Sequence, residues 1–250
     1  MNIIKLSKGS KLTQAQLGGK GYNLQKLIEW ELNVPETFVI TSEELSALPS
    51  AKDVLISSAV ATSKKYAVRS SGVGEDGNEN SFAGVFDTVL NVNHSNIANA
   101  LKKVYASRDT RVSSMYSNAR NVKVIDMAIV IQEMIDADYA GVAFSVSPIE
   151  QDGRIGLIEV VKGLGESLVS GKTKPTSIRI NKITGIRRVL QSGNDIIQDA
   201  KLKMMVDQVC EELCKIEQFY EKPIDIEWAI KKGVLYLLQA RPITTLGDKK

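Results

Sequence analysis

The sequence predicts an α+β fold in two lobes with mostly antiparallel sheets. Three observations carry this reading: strand-length apolar segments recur from Met127 onward with turn residues between them, one long amphipathic helix interrupts them, and a polar joint near residues 118–125 separates them from a first half of mixed character. A chain of 250 residues, 43% hydrophobic and 24% charged, is long enough to bury a substantial core. The expected division is a first lobe over residues 1–125, a second over 126–246 and a charged tail over 247–250.

In chain order, "LGGKGYNLQKLIEW" reads as a glycine-rich loop running into an amphipathic helix, with Leu24, Leu27 and Ile28 at helical spacing. Short strands follow at 38–40 and 66–68. "GVGEDGNEN" has no apolar residue but Val73 and is expected to be an exposed loop. "DTVLNV" is the next strand, with helices expected over 95–107 and 109–117. After the joint come the strands "MAIVIQEMI", "YAGVAFSV", "IGLIEVV", "TSIRI" and "IRRVLQ". Leu202, Val206, Val209, Leu213, Ile216 and Tyr220 then form the core-facing stripe of a long helix. The terminal hairpin, "DIEWAIKKGVLYLLQAR", closes the second lobe.

Charge and residue usage narrow the chemistry. Basic residues number 32 against 29 acidic, mixed along the chain, so no nucleic-acid groove is expected. No apolar run approaches the length of a membrane span, and "MNIIKLSKGS" lacks the regions of a secretory signal, so a cytoplasmic address without membrane contact is expected. Cys210 and Cys214 read as core thiols, four apart in a helical pattern that does not suit a disulfide. His94, the sole histidine, lies in the polar turn "NVNHSN". Histidine-based zinc sites and catalytic triads would therefore rest on a turn residue.

The hairpin is where polar groups interrupt an apolar pattern. Strand alternation puts Ile224, Ile226, Trp228 and Ile230 on one face and Asp225 and Glu227 on the other, with Leu235, Leu237, Gln239 and Arg241 aligned on the partner strand. A three-residue loop, Lys231-Lys232-Gly233, would set residue 230 against 234 and residue 225 against 239, collecting the four polar groups on one face. Carboxylates with an amide oxygen are donors that Mg²⁺ accepts, and arginine offers a planar fork to a phosphate. A cross-strand salt bridge from Asp225 or Glu227 to Arg241 on a solvated face is the competing reading. Elsewhere, "GGKG" places Lys20 before a helix amino-terminus, which favours anions, although the phosphate-loop pattern G-x-x-x-x-G-K-[ST] is absent. Arg69 ends a short strand in "YAVRSSG", and with Lys20 and Arg241 it would supply three positive groups to a polyphosphate.

Spread along nearly the whole chain, "GGKGYNLQKL", "NVPETFVIT", "AVRSSGVGEDGNENSFAGVFDTVLNV", "IVIQEMIDADYAGVAFSVSP", "EVVKGLGESLVSGK" and "DIEWAI…LYLLQARPITT" are similar in order and spacing to one family. The chain resembles the nucleotide-binding domain shared by phosphoenolpyruvate synthase, pyruvate phosphate dikinase and rifampicin phosphotransferase, which has an ATP-grasp fold. The resemblance implies two lobes that clasp Mg-ATP. It implies phosphate contacts from Lys20 and Arg69, nucleotide-lining positions at Gly84 and Thr88, an adenine hinge at Gln132, a metal-associated pair in Glu227 and Gln239, and terminal-phosphate contact from Arg241. Lys20, Arg69 and Arg241 would be the catalytic residues, and Asp225 fits the same face as Glu227. The chain departs from the family where "PET" stands for "PPG", where Glu31 occupies a position at which glycine is common, and where Ser147 replaces an acidic or amide residue.

In that family the phosphoryl or pyrophosphoryl group passes to a histidine on a separate carrier domain. His94 lacks the carrier's surrounding pattern, so the resemblance implies an ATP-dependent phosphotransferase working with a carrier or acceptor domain in trans or as part of a longer enzyme. A non-catalytic nucleotide-binding regulatory module and an ATP-grasp carboxylate ligase are the alternatives.

Overall fold

The computed structural model of the chain describes residues 2–47, 60–72, 88–116, 127–165, 168, 171, 173–193 and 199–244. The chain divides into two compact units, residues 1–134 and 135–250. Every strand pairing recorded in either unit is antiparallel, which meets the α+β expectation.

The first unit is built on a five-stranded sheet of order β1-β2-β5-β3-β4, with β1 Ile4–Lys5, β2 Thr37–Ile40, β3 Lys65–Gly72, β4 Thr88–Asn93 and β5 Met127–Glu133. Helix α3, Ile97–Tyr116, runs continuously where two helices were expected. It closes one face of the sheet through Ile97, Ala100, Leu101, Val104 and Tyr105, which cluster with Phe38, Ile40, Tyr66, Val68, Ile129 and Ile131. Helix α1, Gln14–Glu29, packs on β3 and β5 from the other face, where a Cβ on Gly21 would lie 3.5 Å from Val130 Cγ2. A short helix, α2 Ser42–Ser46, follows β2 under a cap from Thr41. His94 falls in a 3₁₀ turn before α3, in keeping with its reading as a turn residue.

The second unit is a six-stranded sheet of order β11-β10-β6-β7-β8-β9. Its strands are β6 Tyr139–Phe144, β7 Ile155–Lys162, β8 Thr176–Asn181, β9 Arg187–Gln191, β10 Ile224–Lys231 and β11 Val234–Pro242. Helix α4, Asp199–Tyr220, covers one face: Leu202, Met205, Val206 and Val209 meet Ile158, Val160 and Trp228. Among the described residues no helix is long and apolar enough to cross a membrane.

Two expectations are corrected here. Residues 127–133 form a strand, but one whose partners are β2 and β3, so it belongs to the first unit, and the division falls after Met134 instead of near residue 125. The polar joint and the loop over 73–87 lie outside the described residues. Cys210 and Cys214 are half-buried and free on the flank of α4, not in its core stripe. Glu31, noted where glycine is common, adopts φ +59°, the left-handed conformation that glycine tolerates best, and its carboxylate pairs with Lys8 at 2.8 Å.

An ion-pair chain fastens the ends of the first sheet. Glu36 accepts from Lys5 at 2.6 Å and from Lys64 at 3.1 Å, and Lys64 also pairs with Glu133 at 2.8 Å. The hydrogen bond from Lys5, then that from Lys64 and the charges of both, outweigh burial and hold the Glu36 carboxyl below its ordinary range. A depressed carboxylate stabilises the fold fully above its unfolded pKa, and the contribution disappears as pH falls through the folded value. Glu36→Gln is therefore expected to flatten the stability profile below about pH 4.5 while costing under about 1 kcal/mol at neutral pH, since the lysines are partly exposed. Urea midpoints across pH 3–7 provide the check, and an identical acid slope in the variant contradicts it.

Candidate functional site

On the first unit, Thr13 starts α1 with a reciprocal cap: its hydroxyl accepts from Gln16 N–H at 3.3 Å and its N–H donates to Gln16 Oε1 at 3.0 Å. The helix is then interrupted at Gly18, whose φ of 65° and ψ of 178° are extended and left-handed, and resumes at once through Gly19, Lys20 and Gly21. The expected flexible loop is instead a kink with all three glycines buried. Ser71 on β3 pins it: the Ser71 hydroxyl donates to the Leu17 carbonyl at 2.7 Å and accepts from Gly21 N–H at 3.1 Å. A resumed helix begins with backbone N–H groups that lack helical acceptors, and Lys20 stands in that first turn, half-buried.

Strand parity gathers the other residues predicted on this unit. Tyr66 and Val68 belong to the α3 core, so Ala67, Arg69 and Ser71 look toward the α1 face. Arg69 lies opposite Thr88 on one side and Val130 on the other, while Gln132 lies between Ala67 and Thr37. Arg69, Thr88 and Gln132 thus share the face on which α1 packs. Gln132 is buried, 3% exposed, and its Nε2 has no hydrogen-bond partner. A buried donor left unmatched is costly unless a ligand or water supplies the acceptor. Gly84 lies outside the described residues.

On the second unit, the hairpin register differs from expectation. Lys231 pairs with Val234 across a turn of Lys232 and Gly233, both at positive φ, 51° and 79°. That is the tight turn whose twist matches a hairpin. The register then slips: Trp228 pairs with Leu237 but Glu227 with Gln239, leaving Leu238 as the extra residue of a bulge. Below the bulge Asp225 sits opposite Arg241, not opposite Gln239. Leu235 and Leu237 pair with Ile230 and Trp228 on the α4 face, whereas Gln239 and Arg241 fall on the face of Asp225 and Glu227. The four polar groups do share one face, by way of a bulge and not a three-residue loop.

Within this face the groups form two pairs. Arg241 Nε donates to both carboxylate oxygens of Asp225, at 3.0 and 2.8 Å. This salt bridge was the competing reading of the hairpin, and it involves Asp225, leaving Glu227 beside the Gln239 amide. Gln239 is 6% exposed, and its Oε1 has no hydrogen-bond partner. A buried carbonyl oxygen without a partner, on a residue paired across the hairpin with a glutamate, is the kind of oxygen donor a hard cation accepts, so Glu227 and Gln239 fit Mg²⁺. Among the described residues no cluster of three or more histidine, cysteine, aspartate or glutamate side chains offers an alternative metal site.

Sequence reasoning missed Glu159. By register it lies in one row with Val142, Glu227 and Gln239 on the polar face, and it accepts from Ser177 Oγ at 3.3 Å. The alternation in "IGLIEVV" is visible, but nothing in that segment indicates that Glu159 falls on the same side of the sheet as Glu227, two strands away.

The family model described as pyruvate phosphate dikinase, AMP/ATP-binding domain, matches residues 47–250. The chain is 35% identical over 211 residues to a probable phosphoenolpyruvate synthase of Methanocaldococcus jannaschii, covering 74% of this chain and 18% of that protein. It is 30% identical over 295 residues to the prodigiosin synthesizing transferase PigC of Serratia marcescens, covering 97% and 33%. It is 31% identical over 203 residues to a rifampicin phosphotransferase of Bacillus cereus, covering 72% and 23%. The chain spans a third or less of the length of these relatives.

Proposed function

We propose, from the premise that the chain belongs to the family of pyruvate phosphate dikinase AMP/ATP-binding domains, that it is an ATP-grasp module that binds Mg-ATP and transfers a phosphoryl or pyrophosphoryl group to a histidine carrier or acceptor supplied by another domain. The observation that carries this reading is the Glu227–Gln239 pair, with the buried Gln239 Oε1 unmatched.

The residues divide the work by chemistry. Lys20, at the start of the resumed helix, and Arg69 supply positive charge to phosphate oxygens from the first unit. Thr88 offers a hydroxyl beside Arg69, and Gln132 Nε2 supplies a donor to the adenine ring. Gly84 is a further nucleotide-lining position by the family resemblance alone. Glu227 and Gln239 hold the magnesium ion, which when bound neutralises phosphate charge. Arg241, held by Asp225, brings a further positive charge to the terminal phosphate. Phosphoryl transfer asks the protein for positioning and charge stabilisation more than for covalent chemistry, which suits a set of cations and amides without a protein nucleophile.

The test is calorimetric titration of ATP with and without Mg²⁺. Wild-type protein should bind more tightly with the metal, and Glu227→Gln should lose roughly tenfold or more of that affinity while retaining metal-free ATP binding. Equal affinity in wild type, Glu227→Gln and Lys20→Ala would remove the basis of the assignment. Incubation with Mg-ATP and a carrier domain then distinguishes the transferred group: AMP with a labelled histidine marks diphosphotransfer, and ADP marks single phosphoryl transfer.

A further inference from the structure

A single row of side chains crosses the polar face of the second sheet. From the β11 edge the register runs Gln239, Glu227, Val142, Glu159, Ser177 and Gln191, one residue from each strand. The first two are the pair that fits Mg²⁺. Glu159 lies two strands from Glu227, about 10 Å away at the usual strand spacing, with only Val142 between them in the row. It is half-buried, and Ser177, 8% exposed, donates its hydroxyl to Glu159 Oε1 at 3.3 Å. Among the described residues Oε2 takes no hydrogen bond, and the carboxylate has no ion pair. One oxygen is thus tied to the sheet while the other is left to accept, and a partly buried acceptor gains from any donor that reaches it.

We propose, resting on the Mg-ATP reading of this face, that Glu159 accepts hydrogen bonds from the ribose hydroxyls of the bound nucleotide and so selects ribonucleotide over deoxyribonucleotide, with Ser177 as its positioning residue. The ligand group follows from chemistry. Phosphate oxygens repel a carboxylate, so beside Mg-ATP it gains only from a cation or from a hydrogen-bond donor. Glu159 is not gathered with other acidic groups around a second cation: among the described residues no three histidine, cysteine, aspartate or glutamate side chains form such a group. ATP carries donors only at its 2′ and 3′ hydroxyls and at the 6-amino group of the base.

The base is matched by Gln132 of the first unit, whose buried Nε2 lacks a partner, which leaves the sugar for Glu159. The order of groups in the nucleotide agrees with the order in the row. Magnesium bridges the outer phosphates, whereas the sugar is attached to the innermost one, so their protein ligands belong some distance apart and not side by side. Ser177 contributes by fixing the carboxylate before the nucleotide arrives, which spares the cost of ordering it on binding.

Calorimetric titration of ATP, 2′-deoxy-ATP and 3′-deoxy-ATP, with and without Mg²⁺, tests the assignment. Wild-type protein should bind ATP roughly tenfold to a hundredfold more tightly than an analogue lacking a bound hydroxyl. The preference should persist without metal, which separates it from the role of Glu227. Glu159→Ala should bind ATP and that analogue alike, and Ser177→Ala should show a reduced preference. Glu159→Gln keeps the shape and one acceptor oxygen, so it should retain only part of the preference, and it carries the comparison if circular dichroism finds Glu159→Ala unfolded. Equal wild-type affinity for all three nucleotides, a preference in folded Glu159→Gln as large as in wild type, or a loss in either variant that is the same for ATP and its analogues overturns the assignment. Impaired transfer to a carrier histidine with nucleotide preference unchanged places Glu159 at the acceptor and overturns it as well. Failure of wild-type protein to bind ATP at all removes the Mg-ATP reading itself, and the ribose contact with it.

Discussion

Gly18→Ala is expected to destabilise the chain by on the order of 4 kcal/mol and to remove ATP binding with it. A Cβ at this position would stand 2.1 Å from the Ser71 carbonyl oxygen and 2.5 Å from its carbonyl carbon, both main-chain atoms of a central strand. Relief would require α1 and β3 to separate, and that movement would disturb the resumed helix that carries Lys20. The backbone conformation alone accounts for only part of the effect. Gly9 also has positive φ, +84°, but open space around it, so Gly9→Ala should cost about 1 kcal/mol. Urea denaturation of the two variants measures the difference. Near-equal losses would show that the close approach of Gly18 to Ser71 is not what fixes the kink. Ser71→Ala should not rescue Gly18→Ala, because the nearest obstacle is the carbonyl, and by itself it should cost about 1–3 kcal/mol for two buried hydrogen bonds.

Arg241→Ala should weaken Mg-ATP binding by roughly tenfold to a hundredfold, the range for one charge-assisted contact. Its effect on stability should be smaller, about 1 kcal/mol, since the arginine side chain is 39% exposed although Asp225 is only 16% exposed. Arg241→Lys keeps the charge but loses the fork and should recover only part of the affinity. Asp225→Asn leaves the arginine in place and should weaken binding less than Arg241→Ala, as expected for a positioning residue. The competing outcome is specific. If Arg241→Ala lowers the urea midpoint yet binds Mg-ATP like wild type, the pair is a structural salt bridge only.

Part of this arrangement is legible because the register below the bulge differs from the expected one by two residues, an even shift that keeps Gln239 and Arg241 on the face of Glu227; Leu235 and Leu237, shifted by one, turn to the opposite face. The hairpin was assigned a three-residue loop, whereas it has a tighter turn and a bulge, but both routes leave Glu227, Gln239 and Arg241 on one face. The pairing itself was not legible: nothing in "GVLYLLQAR" marks Leu238 as the extra residue, so Asp225 was set against the wrong partner. Strand β5 was read as a strand from its apolar run, but its partners β2 and β3 are distant in sequence, and local pattern carries no information on which sheet recruits it. The kink at Gly18 was hidden for a different reason. Two glycines before a lysine are the usual composition of a loop, and only the seating against Ser71 reveals a helix broken at a single residue.

The bulge at Leu238 also bears on how divergent relatives should be compared. Counting outward from the pair Lys231 and Val234, a chain lacking residue 238 would still bring its glutamine opposite Glu227 and its arginine opposite Asp225, now in an unbroken ladder. A single alignment gap at this point therefore leaves the pairing unchanged, and homologues of either length can keep the same cross-strand polar pairs. Forced alignment without the gap would misassign both.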